Sequence, residues 1–325
     1  MNTPERILLV STTAIGDTVM ATPFIRAVRK CYPKAHISVL AHKKRMALLA
    51  FNPYIDDLQP YHGKGKKVLG TFWLLRKARF DLAIVLHAND PDIVPLVRWS
   101  GAPIRVGWGE SKWAQLFTHT IRRADPPEHF MIHKKRLLES VGIPVKSLQT
   151  DIFLQLGDAV PFQQKLVPWL KKNSPGFGYV VMHAFGTNPQ KWWPLENFFA
   201  VADHIYEKHH WTSVFVGDDE TLTIVEKHPR FKPSRHYAAN GCTLRESAYI
   251  IKHAYRMITT DSGPMHLAFA LRCPTLCLFG PTKPAIHGPC FDLDRHHAIH
   301  HDPLTELRVE EVIPAWDKFV QAKSA

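Results

Sequence analysis

The apolar positions of this chain fall into short unbroken runs separated by stretches of helical spacing. Ile7-Leu8-Leu9-Val10 is the first such run and reads as a strand; residues 18–31 have the period of a helix, 36–40 of a strand and 43–51 of a short helix. After residues 74–79 come a strand at 82–86, a helix over 93–99 and a strand at 104–107. Strands that lack polar alternation are apolar on both faces, and with helices between them they predict a parallel sheet covered on both sides.

Residues 151–178 interrupt this rhythm. Gly157-Asp158, Pro161, Pro168 and Asn173-Ser174-Pro175-Gly176 are turn formers, and the stretch reads as a linker. The alternation then restarts with a strand at 179–182, a helix at 195–209, a strand at 212–216, helices at 219–227 and 244–253, and a strand at 256–259. The length of 325 residues is comfortable for two domains, each with its own core. The expected division is residues 1–160 and 175–305, closed by a helix-like run at 306–325 that folds back on one of the halves, the first included.

Charge separates the halves further. Residues 1–150 hold 23 Lys and Arg against 11 Asp and Glu, whereas residues 151–325 hold 18 against 18, so the whole net charge of +12 belongs to the first half. An acidic partner facing that half, or simply solvated charge, accounts for it. The apolar runs are all too short for a membrane span, and Met1-Asn2-Thr3-Pro4-Glu5-Arg6 leads into a strand and not a signal peptide, so the expected location is cytoplasmic. Cys31, Cys242, Cys273, Cys277 and Cys290 are odd in number and scattered, which reads as reduced thiols with no metal knuckle.

Four loops at strand ends carry the candidate chemistry. In Asp261-Ser262-Gly263-Pro264-Met265-His266 a strand turns into a helix start. Asp261 or Ser262 can cap it, Gly263 admits a ligand to the backbone, and the free N–H groups and dipole suit a phosphate. A second strand then runs into Phe279-Gly280-Pro281-Thr282. Near the start, Ser11-Thr12-Thr13-Ala14-Ile15-Gly16-Asp17-Thr18 has one glycine, so it is neither the dinucleotide fingerprint nor a P-loop. Asp17 there reads either as the N-cap of a helix beginning near Thr18 or as a general base for a hydroxyl nucleophile. In His183-Ala184-Phe185-Gly186-Thr187-Asn188-Pro189-Gln190-Lys191-Trp192-Trp193-Pro194, Gly186 and Thr187 offer backbone and hydroxyl donors and Lys191 a cation suited to a departing diphosphate, while His183 reads as a strand-end histidine. In Gly217-Asp218-Asp219-Glu220, Glu220 is either a ribose ligand or a charge favoured by the helix dipole.

These segments resemble glycosyltransferase family 9, the lipopolysaccharide heptosyltransferases. The likeness rests on Ala14 to Pro23, Lys191-Trp192-Trp193-Pro194, Gly217 to Glu220, and Asp261 to His266 with Phe279-Gly280-Pro281-Thr282, in the family's order. It implies a GT-B fold, two Rossmann-like α/β domains with parallel sheets facing across a cleft, acceptor on the first and ADP-heptose on the second. By the same resemblance Asp17 is the catalytic base, Lys191 and Thr187 bind the diphosphate, Glu220 the ribose, the loop from Asp261 through Ser262, Gly263 and Pro264 to His266 the diphosphate and sugar, and the backbone near Cys242 the adenine. Thr13, Gly16, Lys64 and Arg122 are the acceptor-side candidates. No metal or other cofactor is implied. The chain departs from the family at Ser11, where an Arg is usual, and at His183-Ala184-Phe185-Gly186, where a Gly-rich turn is usual.

The expected activity is inverting transfer of heptose from ADP-heptose to the lipopolysaccharide inner core, on a lipid A-linked acceptor at the inner face of the cytoplasmic membrane. The same fold with another nucleotide sugar or cell-surface acceptor is a second reading. A basic nucleic-acid-binding protein is a third, disfavoured by dispersed charge and the absence of a nucleic-acid motif, and a non-catalytic sugar-nucleotide binder a fourth.

Overall fold

A computed structural model describes residues 3–87, 91–174, 176 and 178–321. Its chain forms two compact units, 1–153 and 154–325. In the first, strands β1 (Arg6–Ser11), β2 (His36–His42), β3 (Asp57–Tyr61), β4 (Leu82–His87), β5 (Ile104–Trp108) and β6 (His119–Ile121) pair in the order β3-β2-β1-β4-β5-β6. Every pairing is parallel. The helices between them are α1 (Ile15–Met20), α2 (Thr22–Cys31), α3 (Val68–Ala78), α4 (Ile93–Trp99) and α5 (Phe130–Glu139).

The second unit repeats the plan with β7 (Tyr179–His183), β8 (Thr212–Phe215), β9 (His236–Ala238), β10 (Arg256–Thr260), β11 (Thr275–Phe279) and β12 (His296–His300), in the order β12-β11-β10-β7-β8-β9. These pairings are parallel too. Around them lie α6 (Val167–Asn173), α7 (Leu195–His209), α8 (Asp219–Lys227), α9 (Leu244–Lys252), α10 (Gly263–Ala270), α11 (Pro284–His287) and α12 (Val309–Gln321). The central strands β1 and β7 are buried from Ile7 and Tyr179 onward, as strands sandwiched between helix layers must be. Strand order reverses between β1 and β4, and again between β7 and β10. In open parallel sheets a ligand crevice opens at that reversal, outside the carboxyl ends.

Several expected elements are revised. The helix at 18–31 is two helices meeting at Ala21: Pro23 has no N–H to donate, and Thr22 Oγ1 donates instead to the Val19 carbonyl at 2.8 Å. Residues 43–51 make only one 3-10 turn, Met46–Leu49. The expected linker is not one. Leu166 and Leu170 are buried, Asp158 pairs with Arg245 of α9 at 2.6 Å, and this stretch belongs to the second unit, so the boundary falls at 153 and not 160. Of the closing run, α12 packs on α7 through Val312, Trp316 and Phe319, inside the second unit's core and not on the first unit. Met1, Asn2, Pro175 and residues 322–325 of these expectations lie outside the described residues. All five cysteines are free thiols.

Candidate active site

At the strand-order reversal of the first unit, β1 ends in the turn that starts α1. Asp17 is not the N-cap of that helix; Ala14 is, and Asp17 stands in the first turn with its carboxylate folded back. Its Oδ2 accepts from Thr13 Oγ1 at 2.7 Å and from the Ala14 N–H at 3.2 Å, and His87 Nε2, at the end of β4, lies 3.2 Å away. Among the described residues nothing hydrogen-bonds to Oδ1, which faces Lys134 Nζ of α5 at 4.0 Å. One oxygen thus fastens the carboxylate to the backbone while the other keeps its lone pairs. Burial would raise the Asp17 carboxyl, but Lys134, His87, the Thr13 hydroxyl and the Ala14 N–H outweigh it and hold it below the ordinary carboxylate value.

Burial, reinforced by Lys134, pushes the His87 imidazole down to about 4, so near neutrality it is uncharged beside the carboxylate. Burial lowers Lys134 to about 8, although Asp17 pulls the other way. Its ammonium lies 4.4 Å from the centre of the Phe130 ring and finds no hydrogen-bond partner among the described residues. A cavity of about 360 Å³ opens beside it, lined among others by His87, Trp108, Trp113, Arg123 and His133. Trp113 Nε1 and His133 Nε2 are likewise buried and without a hydrogen-bond partner among the described residues. Three orphaned polar atoms round one cavity, two of them cationic or N–H donors, suit a polyhydroxylated or anionic ligand, because each costs free energy until it is paired.

At the reversal in the second unit, Asp261 closes β10. Its Oδ2 accepts from Lys191 Nζ at 2.6 Å and from Thr282 Oγ1 at 2.5 Å. Burial alone would raise this carboxyl; the Lys191 and Thr282 hydrogen bonds and the Lys191 charge hold it below its usual range. Ser262 is the N-cap of α10, yet its hydroxyl does not cap. It lies 3.1 Å from both the Thr260 carbonyl and His183 Nδ1. Burial drives His183 down to about 4, so it is a neutral partner there. With Asp261 and Ser262 both engaged elsewhere, the α10 start keeps backbone N–H groups for an anion.

Two close approaches shape this edge. A Cβ on Gly186 would come within 3.3 Å of Ser262 Cβ, and one on Gly280 within 3.0 Å of Leu304 and 3.3 Å of the Gln190 carbonyl, so both loops pack closely against their neighbours. The Gly186 carbonyl accepts from Trp192 Nε1 at 2.7 Å, and Trp193 is buried with Nε1 donating to the Leu307 carbonyl at 2.8 Å. The two tryptophans therefore anchor the loop that carries Lys191.

The sequence model of "Glycosyltransferase family 9 (heptosyltransferase)" matches residues 72–316, three quarters of the chain. The chain belongs to glycosyltransferase family 9. It is 26% identical over 283 residues to lipopolysaccharide heptosyltransferase 3 of Escherichia coli, covering 82% of this chain and 81% of that one. In structure it is similar to the family 9 glycosyltransferase of Veillonella parvula DSM 2008, with a TM-score of 0.84, 24% identity and 97% of each chain covered. It is similar also to the E. coli ADP-heptose lps heptosyltransferase II, with a TM-score of 0.80, 20% identity and coverage of 98% and 100%. The transferase therefore has the GT-B type of fold, two Rossmann-like units with parallel sheets.

Within this family 9 transferase the expected donor residues share one edge. From β9 to β11 the carboxyl ends present Cys242, Glu220, Gly186 with Thr187, the Asp261 to Pro264 turn, and Thr282. Asp219 Oδ1 accepts from the Gly241 N–H at 2.7 Å and holds the Cys242 loop to the start of α8. Asp218 caps that helix, and Glu220 stands exposed in its first turn. Thr187 is exposed, and His266 is buried in α10. Among the described residues no group of three His, Cys, Asp or Glu is placed to hold a metal.

On the acceptor side, Thr13 holds Asp17 and Gly16 is buried in α1. Lys64 is exposed in the loop beyond β3. Arg122 is exposed over Gly109, and its neighbour Arg123 lines the cavity instead, as successive residues leaving a strand point to opposite sides. His87 and Lys134 did not emerge from the sequence reading. Lys134 had a signal: Met131, Lys134 and Leu138 share helical spacing, which sets a lysine on an apolar stripe.

Proposed function

We propose that this transferase moves a heptose from ADP-heptose to a hydroxyl of the lipopolysaccharide inner core, with inversion at the anomeric carbon. The observation that carries this reading is the divided Asp17 carboxylate, one oxygen fastened and the other open beside Lys134 and the cavity. Oδ1 takes the proton of the acceptor hydroxyl while that oxygen forms the new glycosidic bond and the bond to the ADP oxygen breaks. A carboxylate held below its usual pKa suffices, because the hydroxyl becomes acidic only as the new bond develops.

On the donor side, Lys191 exchanges part of its contact with Asp261 for the diphosphate, and the α10 start with Thr187 receives the remaining phosphate oxygens. Charge there grows as ADP departs, so these contacts strengthen in the transition state. Ser262, Gly263, Pro264 and His266 border the sugar, Glu220 takes the ribose, and the backbone at Cys242 borders the adenine. Thr13, Gly16, Lys64 and Arg122 serve the acceptor, and no metal takes part. The protein works at the inner face of the cytoplasmic membrane as a peripheral protein; no described helix is long and apolar enough to cross it.

The test is direct. Purified protein given ADP-heptose and a truncated core acceptor releases ADP in proportion to product, and titration by calorimetry ranks ADP-heptose above UDP- and GDP-sugars. Tighter binding of a UDP- or GDP-sugar would move the donor assignment, and donor binding without ADP release would replace the catalytic reading by a sensor.

A further inference from the structure

The face formed by α3 and α4 in the first unit combines two features that solvent alone does not explain. Leu69 is 76% exposed, Trp73 67%, Trp99 54% and Leu74 41%. They are not scattered: Leu69 and Trp73 are one helical turn apart on α3, and the Phe72 ring lies 5.1 Å from Trp73 and 6.1 Å from Trp99 of α4. On the opposite side of α3, Thr71 and Leu75 face the core. The helix is therefore apolar on both sides, and only one side is covered.

Positive charge predominates around it, although Asp92 at the start of α4 accepts from the Gly65 N–H at 3.3 Å. Residues 58–80 hold six Lys and Arg, namely Lys64, Lys66, Lys67, Arg76, Lys77 and Arg79, and no Asp or Glu; residues 93–109 add Arg98 and Arg105, again without an acid. Lys66, Lys67, Arg76, Lys77, Arg79 and Arg98 are all exposed.

We propose that this face docks the protein on an anionic phospholipid bilayer, with Leu69, Trp73, Leu74 and Trp99 entering the headgroup boundary and the flanking cations meeting lipid phosphates. The proposal rests on the membrane-surface location proposed above and names the surface responsible. Tryptophan and leucine on one stripe beside lysine and arginine are the side chains that gain at a lipid interface, the first by leaving water and the second by the negative surface potential. A second copy of the chain is the poorer occupant, since a symmetric pairing would set the same positive rim against itself. Lys66 and Lys67 enter α3 from the carboxyl end of β3, the sheet edge that also carries Asp17, so docking here would bring a lipid-linked acceptor toward that edge.

The intact protein is sedimented with vesicles of phosphatidylcholine alone and with vesicles containing about one-third phosphatidylglycerol, at low and high salt. Binding to the anionic vesicles only, weakened by salt and reduced about tenfold or more in the Leu69→Ser/Trp73→Ser double variant, is expected. Both residues are exposed, and an unchanged melting temperature checks that the variant is folded. Absence of vesicle binding in the unaltered protein, or equal binding by the variant, would overturn the proposal. So would a concentration-dependent dimer that the same substitutions abolish, because it assigns the face to a second copy. Turnover on a delipidated, water-soluble core acceptor is measured in parallel. It should be the same in both proteins, and its absence in the unaltered protein would sink the transferase assignment while leaving the vesicle result to stand.

Discussion

Each unit places an aspartate and a lysine at the reversal of its strand order, and the two pairs are built differently. In the second unit Lys191 and Asp261 are in contact at 2.6 Å, with Thr282 on the same carboxylate oxygen. In the first, Lys134 stops 4.0 Å short of Asp17, makes no hydrogen bond among the described residues and is buried, whereas Lys191 is 23% exposed. A closed pair stores a cation ready to be handed to an arriving anion. An open pair keeps a carboxylate ionised while leaving one of its oxygens unoccupied. In the function proposed above, the same two residue types serve a ligand-holding site and a proton-accepting site, and the separation distinguishes them.

Substitution can break this comparison at its most sensitive point. Asp17→Asn keeps the Thr13 and Ala14 contacts possible but removes the base; ADP release should fall about a thousandfold, with the melting temperature little altered. Turnover above a tenth of the original would remove Asp17 from the role of base.

The two lysines should then part company in stability. Lys191→Met should lower kcat about a hundredfold by removing charge from the departing diphosphate. It should also destabilise the protein by roughly 3 kcal/mol, because Asp261 is left buried with only Thr282. Lys134→Met should do the reverse to the fold. Burial lowers Lys134 from 10.5 to about 8, a net cost of about 3 kcal/mol when it is charged, so an apolar replacement should raise stability by about 1–3 kcal/mol while lowering turnover about tenfold. Chemical denaturation of the two variants side by side measures the contrast, and equal signs would end it.

The pH dependence sharpens the same point. Lys134 loses its proton as pH rises through about 8, so turnover should fall along an alkaline limb there, and that limb should be missing in Lys134→Met. Stability should move oppositely: between about 8 and 10.5 the unfolded chain holds the proton that the folded chain has lost, so this residue's contribution to stability rises with pH. The smallest effect is expected at His87, neutral above about 4 and 3.2 Å from Asp17 Oδ2, which Thr13 and Ala14 already hold by hydrogen bonds. His87→Gln should reduce kcat about threefold and add no limb between pH 5 and 7.

Much of this was legible in the linear chain. The apolar runs of β1, β4, β7 and β10, the helices at 195–209 and 219–227, and the loops bearing Asp17, Lys191 and Asp261 follow from local rules, because burial on both faces and tight turns leave their mark within a few residues. What was missed was short, polar or edge-placed. β6 is three residues, His119–Ile121, and β12, His296–His300, is mostly histidine; pairing with a neighbour strand makes them strands, and their own side chains do not announce it. α5 was hidden because its Lys-Lys-Arg run looks like solvated charge.

By itself, then, the sequence determined the two alternating units, the glycine-poor loop of Asp17, the strand-to-helix turn that starts α10 and the family to which these belong. Only the tertiary structure decided that 154–174 joins the second unit, that α12 closes that unit's core, and that Lys134 and His87 converge on Asp17 from residues 117 and 70 positions away. The physical reason is range. Turn chemistry and apolar period act between neighbours in the chain, whereas the protonation of a carboxylate is set by whichever charges and donors the fold brings within a few ångströms of it.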